Sequence, residues 1–172
     1  MITNLEELYC DQLRDLYSAE TQLIAALPDM VSAASNQELR DGLAKHLEET
    51  REHRVRLELI CARRGIDPAG EDCDAMRGLI KEARKHVGET LSGEVRDAVL
   101  IASANRVEHY EIAGYGVSRA FANALGYDDD ATLLSETLDE ESNIDDVLTK
   151  IATGGLFGSG INAAAIDPSL SI

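Results

Sequence analysis

The chain has 172 residues, 44% of them hydrophobic, enough for one well-filled core and a single domain. Sixteen basic residues against 32 acidic ones give a formal charge of -16, which argues against nucleic acid or an anionic membrane as the main partner and favours cations. No apolar run is long enough to span a bilayer and no leader pattern opens the chain, so a cytoplasmic location is expected. Cys10, Cys61 and Cys73 lack the spacing of a disulfide framework or zinc knuckle. Strand-like alternation is scarce, which predicts an all-α fold.

The first helix is predicted from Thr3 or Asn4, with Thr3 and Glu6 as a capping box, to about Ala34; Pro28 should kink or shorten it. Leu13, Leu16, Tyr17, Leu23, Ile24 and Leu27 form its apolar stripe, and Glu20 stands in the middle of that stripe, seven residues from Leu13 and seven from Leu27. A carboxylate so placed must be neutral, paired or bound to a cation. The second helix, 36–64, follows a short turn capped by Ser35 or Asn36 and ends at Gly65. Leu39, Leu43, Leu47, Leu57 and Ile60 mark its buried side, interrupted at mid-length by His46, Glu49, Thr50 and His53.

Residues 66–73 read as a linker and 73–86 as a short amphipathic helix bridging two helix pairs. The third long helix is predicted from a Ser92 cap to Leu125. It is apolar or small nearly all round, which suggests burial against a second subunit as well as the core, and Glu108, His109 and Glu111 interrupt it. The fourth, from Asp128 to about Ala152, carries Leu134, Leu138, Ile144, Leu148 and Ile151, with Glu141 seven residues from both Leu134 and Leu148. The bundle is therefore assigned to 1–153. Residues 154–172, rich in Gly, Ser and Ala, are expected to form a flexible tail or loosely docked arm.

Four helices thus each place a carboxylate near mid-length: Glu20, Glu49, Glu108 and Glu141. Glu49 with His53 and Glu141 with Asp145 have the i, i+4 spacing that puts two ligands on one helix face, and HLEETREH aligns with LDEESNID as two half-sites. A one-residue slip of register would bring in Glu111 or Glu140 instead of its neighbour. Five carboxylates and one imidazole in a core need about two divalent cations for compensation, and this donor set suits iron or manganese better than zinc or magnesium. His46 and His109 face inward by spacing and are expected to support the carboxylates, while Glu48, Glu52 and Glu140 are expected in solvent.

The motifs LYSAETQL, HLEET, VEHYEIAGYG and ETLDEES, in that order across residues 3–152, resemble the ferritin-like proteins of the YciE/YciF type, a bacterial stress-associated group. The resemblance implies a ferritin-like four-helix bundle with a short additional helix, a homodimer and a di-iron or related metal centre, and it names no reaction. The general ferritin-like template uses a Glu from each of two helices and Glu-x-x-His from each of the others. Here His53 follows Glu49 by four residues, and Asp145 stands where a second His is expected. The functional expectation is a di-iron or di-manganese protein with Glu20, Glu49, His53, Glu108 or Glu111, Glu141 and Asp145 as ligands, oxidising ferrous iron with oxygen or peroxide. The alternative is a non-catalytic stress protein that binds a partner.

Overall fold

The computed structural model describes residues 1–91, 93–155 and 158–166. Helix α1 spans Leu5–Ala33, α2 Gln37–Arg64, α3 Asp74–Gly88, α4 Glu94–Leu125, α5 Asp128–Thr153 and α6 Ile161–Ala164. The Asn4 side chain caps α1 by accepting from the Glu7 N–H at 2.9 Å, and Glu7 reaches back to the Thr3 N–H at 2.7 Å. The cap is therefore Asn4 with Glu7, one residue later than Thr3 with Glu6, and the Glu7 carboxylate takes the N–H before the cap rather than the cap's own. Pro28 neither ends nor shortens α1, which runs on to Ala33. Its ring lies on an exposed turn, where water can serve the carbonyl that loses its helical partner.

Asn36 caps α2 through the Leu39 N–H at 3.0 Å. Ser35, the other expected cap, is engaged elsewhere. Its N–H and that of Asn36 both donate to the Asp97 carboxylate, at 2.7 and 2.8 Å, while its hydroxyl accepts from the Gly93 N–H. Asp97 is 2% exposed, so this carboxylate of α4 fixes the α1–α2 turn from inside the bundle. Ser92, the expected cap of α4, lies outside the described residues, and Gly93 occupies the N-cap position.

Helix α2 lies against α1 and α5, and α4 lies against α1 and α5. Contacts at both ends set the directions: Asp97 with Ser35 and Tyr127 with Glu6 make α1 and α4 antiparallel, Val147 near Gly42 and Asp130 with Arg64 do the same for α2 and α5, and the short turns at 34–36 and 126–127 reverse the chain between α1 and α2 and between α4 and α5. Diagonal helices α2 and α4 consequently run the same way, which a short turn cannot connect. Residues 65–93 supply the crossover, with α3 laid across α1 and α4 by Met76, Ile80 and Ala83, one helical face.

Two apolar clusters fill the bundle. Leu23, Leu27, Leu39, Leu43, Leu100 and Leu148 belong to one; Tyr9, Leu13, Leu16, Leu57, Tyr115 and Leu134 belong to the other. Between them every long helix contributes polar side chains to a single belt. Part of the C-terminal segment is docked: Ile161 is 6% exposed and packs with the first cluster. The approach needs glycine, because a Cβ on Gly160 would lie 2.3 Å from the Ala152 carbonyl oxygen and one on Gly154 only 2.1 Å from that of Gly158. Residues 156, 157 and 167–172 of the expected tail lie outside the described residues.

Candidate metal centre

The belt consists of Glu20 from α1, His46, Thr50 and His53 from α2, Glu108 and Glu111 from α4, and Glu141 from α5, each no more than 1% exposed. The spacing explains the convergence. Glu20, His53 and Glu141 sit three or four residues from buried apolar neighbours, so packing those neighbours carries the polar groups inward. Donor atoms of Glu20, His53 and Glu141 lie within 4.8 Å of one another, as do those of His46, Glu108, Glu111 and Glu141. Glu141 is common to both groups. Its Oε1 is 2.9 Å from His53 Nδ1 and its Oε2 4.0 Å from His46 Nε2, while Glu20 Oε1 is 3.5 Å from His53 Nδ1 and Glu108 Oε1 is 3.4 Å from His46 Nε2.

Apart from the approach of Glu141 to His53, which is an ion pair when the ring is charged, these contacts are long for hydrogen bonds. Among the described residues, thirteen buried side-chain nitrogen or oxygen atoms have no hydrogen-bond partner, and nine of them belong to Glu20, His46, His53, Glu108, Glu111 and Glu141. Native cores rarely leave such groups unmet, so atoms converging on a common space rather than on one another fit a site built to be filled by cations. The groups that do have partners are held from behind. The Tyr115 hydroxyl donates to Glu20 Oε1, and Glu140 lies 2.8 Å from His53 Nε2 while gripped by Arg56 through both carboxylate oxygens. In the neutral ring, with the Nε2 proton directed at Glu140, His53 presents the Nδ1 lone pair to the cluster.

Without metal, the charges rearrange. Burial pushes the carboxyl groups of Glu20, Glu108 and Glu111 above the usual range, and neighbouring carboxylates, Glu141 among them, push the same way. Burial also opposes a charge on His53, but its contacts with Glu141 and Glu20 prevail and raise it to about 10. Against the same burial, His53 and His46 hold Glu141 below the ordinary carboxylate value. Burial keeps His46 neutral by lowering it.

The structure brings together five of the seven ligands expected from the sequence: Glu20, His53, Glu141, and both Glu108 and Glu111, which the sequence left as alternatives. Glu49 stays at the rim, partly exposed and paired with Lys45, because His46, Thr50 and His53 take the inward face of α2. Asp145 accepts from Asn105 at 2.9 Å and faces His109 at 3.7 Å, while Ile144 takes the inward position after Glu141. The two halves are therefore not equivalent: Thr50 occupies the Glu position of the Glu-x-x-His spacing, and α5 supplies one carboxylate only.

His46 donates no hydrogen bond to a carboxylate but stands inside the cluster, and its signal was its place seven residues before His53 and three after Leu43. His109 points outward, its side chain 67% exposed. Glu140, expected in solvent, is half-buried against Arg56 and His53.

Residues 4–165 match the family described as a domain of unknown function, DUF892. The chain is 41% identical over 161 residues to Protein YciF of Escherichia coli (strain K12), covering 93% of this chain and 97% of that protein. Its fold superposes on the crystal structure of the E. coli stress protein YciF with a TM-score of 0.85, across 90% of this chain and 98% of that one. A structure described as YcfI, a putative structural protein from Rhodopseudomonas palustris, also gives a TM-score of 0.85, at 43% identity over 88% of this chain and 96% of that chain. A Xanthomonas campestris protein at 19% identity and a TM-score of 0.68 shares the fold. With the match running through all five major helices, this chain is a member of the DUF892 family.

Proposed function

We propose that the protein is a ferritin-like di-iron or di-manganese carboxylate protein of the stress response, a cytoplasmic homodimer. The observation that carries the reading is the concentration of unpartnered, fully buried donor atoms on Glu20, His46, His53, Glu108, Glu111 and Glu141. Glu20, His53 and Glu141 would hold one ion, and His46, Glu108 and Glu111 the other, with Glu141 shared. Oxygen donors with one imidazole per ion suit iron and manganese. Bound iron would supply the electrons for reduction of oxygen or peroxide.

The chain's own part is positional. Glu140 and Arg56 fix the His53 tautomer, Tyr115 fixes one oxygen of Glu20 and leaves the other free, and the apolar clusters on either side exclude water. No helix among the described residues is long and apolar enough to cross a membrane.

Anaerobic ferrous loading followed by oxygen tests the proposal. About two ions per chain and an oxo-bridged absorption band are expected, both lost in Glu20→Ala and Glu141→Ala. Absence of bound iron and manganese in the wild type would remove it. A second reading, a structural or partner-binding protein, draws on the description of the Rhodopseudomonas palustris relative. In that case the same substitutions alter stability and leave metal content at background. Size-exclusion chromatography tests the dimer.

A further inference from the structure

Away from the acid belt, a cavity of about 210 Å³ lies among α1, α3 and α4. Its wall is formed by Leu23, Met30, Ile80, Leu100 and Val107, and Ser103 brings the only polar side chain apart from the pair at the mouth. At the mouth Arg84 and Asp29, both largely exposed, face each other at 3.4 Å. The space is a consequence of the crossover. Helix α3 rests on α1 and α4 through small and medium side chains, Ala83 and Ile80, while its ends are tied to the bundle by the Cys73 N–H on Ser18 and by Arg96 on the Thr90 carbonyl. It therefore spans the groove instead of sinking into it.

We infer that this cavity is a binding site for a small, neutral, mainly apolar molecule of about one or two fused rings. Size supports the inference, since an apolar cavity of about 150 Å³ stays dry and admits benzene. Chemistry does too. The lining offers no buried charge to compensate an ionic ligand, and Arg84 and Asp29 at the entrance neutralise each other. A single hydroxyl at Ser103 can orient a ligand that carries one polar group. Leu23 is one turn from Glu20 and Val107 adjoins Glu108, so an occupant would lie behind the acid belt. The inference needs no metal, and its outcome is independent of the metal reading.

Indole is a suitable probe, with benzoate as its charged counterpart. Titration of the full chain, followed by calorimetry and by methyl NMR, should show saturable one-to-one indole binding with shifts confined to the methyls of Leu23, Ile80, Leu100 and Val107. Benzoate should bind about tenfold or more weakly. Ala83→Leu and Val87→Phe fill the space from α3, one turn apart, and each should weaken indole binding by about tenfold or more, with at least one retaining the wild-type helical signal. Equal binding by wild type and folded filled variants, or shifts on another face, would overturn the inference. So would methyl shifts that follow protein concentration rather than indole, because a second copy would then cover the mouth.

Discussion

Replacing Glu111 by Met separates what the acid belt costs from what it is for. Glu111 is fully buried and neither carboxylate oxygen has a partner. An unsatisfied buried polar group costs about 1–3 kcal/mol, and methionine fills the same length without a polar atom. Metal-free Glu111→Met should therefore be more stable than wild type by about 1–3 kcal/mol, which at this chain length is about 2–12 °C in melting temperature. Metal acts in the opposite sense. An ion at a hundred times its dissociation constant adds about 2.7 kcal/mol to the wild type, or about 5–11 °C, and the variant should lose most of that gain. Thermal unfolding with chelator, and then with manganese or anaerobic ferrous iron, should show the variant ahead in the first case and the advantage removed in the second. A variant that melts lower than wild type in chelator, with an undiminished response to metal, would refute the reasoning.

The metal-free protein should also respond to pH in an unusual direction. The folded-state pKa values of Glu20, Glu108 and Glu111 lie above 4.5, so their contribution is complete below that value and is lost as pH rises through the folded values. His53 acts in the same sense between 6.5 and about 10, whereas His46, lowered by burial, acts oppositely below 6.5. Urea unfolding in chelator should thus show falling stability from pH 7 to pH 9, and saturating manganese should reverse the slope. Glu140→Ala, which removes the acceptor behind His53 Nε2, should weaken metal binding by about 10–100-fold in competition titrations. Two glycines of α4 should part company in the same unfolding assay. Gly116→Ala meets nothing within 4 Å and should stabilise by about 0.5–1 kcal/mol, but a Cβ on Gly114 falls 2.8 Å from buried Leu16 Cδ2, so Gly114→Ala should bring no gain.

The helices were legible because their apolar spacing is strong, and Glu20 and Glu141 because each interrupts the centre of a stripe. Helix α2 shows where this kind of reading fails. Its polar residues crowd three faces at mid-length, and a turn of about 100° per residue leaves Glu49 beside the inward line that His46, Thr50 and His53 share. The i, i+4 relation of Glu49 to His53 is real, but only one of them faces the core. On α4, nearly uniform small and apolar residues hide the direction of the core. That direction was set by contacts across the bundle, such as Gly114 against Leu16, so His109 could be placed inside while it lies outside. The supports were the least visible: nothing local pairs Glu140 and Arg56 with His53, since that contact spans more than eighty residues.

The inequality of the two halves has a consequence for the order of loading. The group around His46 offers three carboxylates, Glu108, Glu111 and Glu141, whereas the group around His53 offers two, Glu20 and Glu141. A divalent ion gains more from the first. The second must also displace a proton, because His53 without metal holds its charge up to about pH 10, while burial already keeps His46 neutral. Coordination by imidazole requires the neutral ring, so of the two histidines only His53 must give up a proton at pH 7, while carboxyl protons held by burial leave from both groups, Glu20 in one and Glu108 and Glu111 in the other. Manganese binding followed by electron paramagnetic resonance should accordingly show two unequal steps, with the stronger abolished by His46→Ala and the weaker by His53→Ala. Two equal steps, or loss of the stronger one with His53→Ala, would mean that carboxylate number and the His53 proton do not set the order of loading.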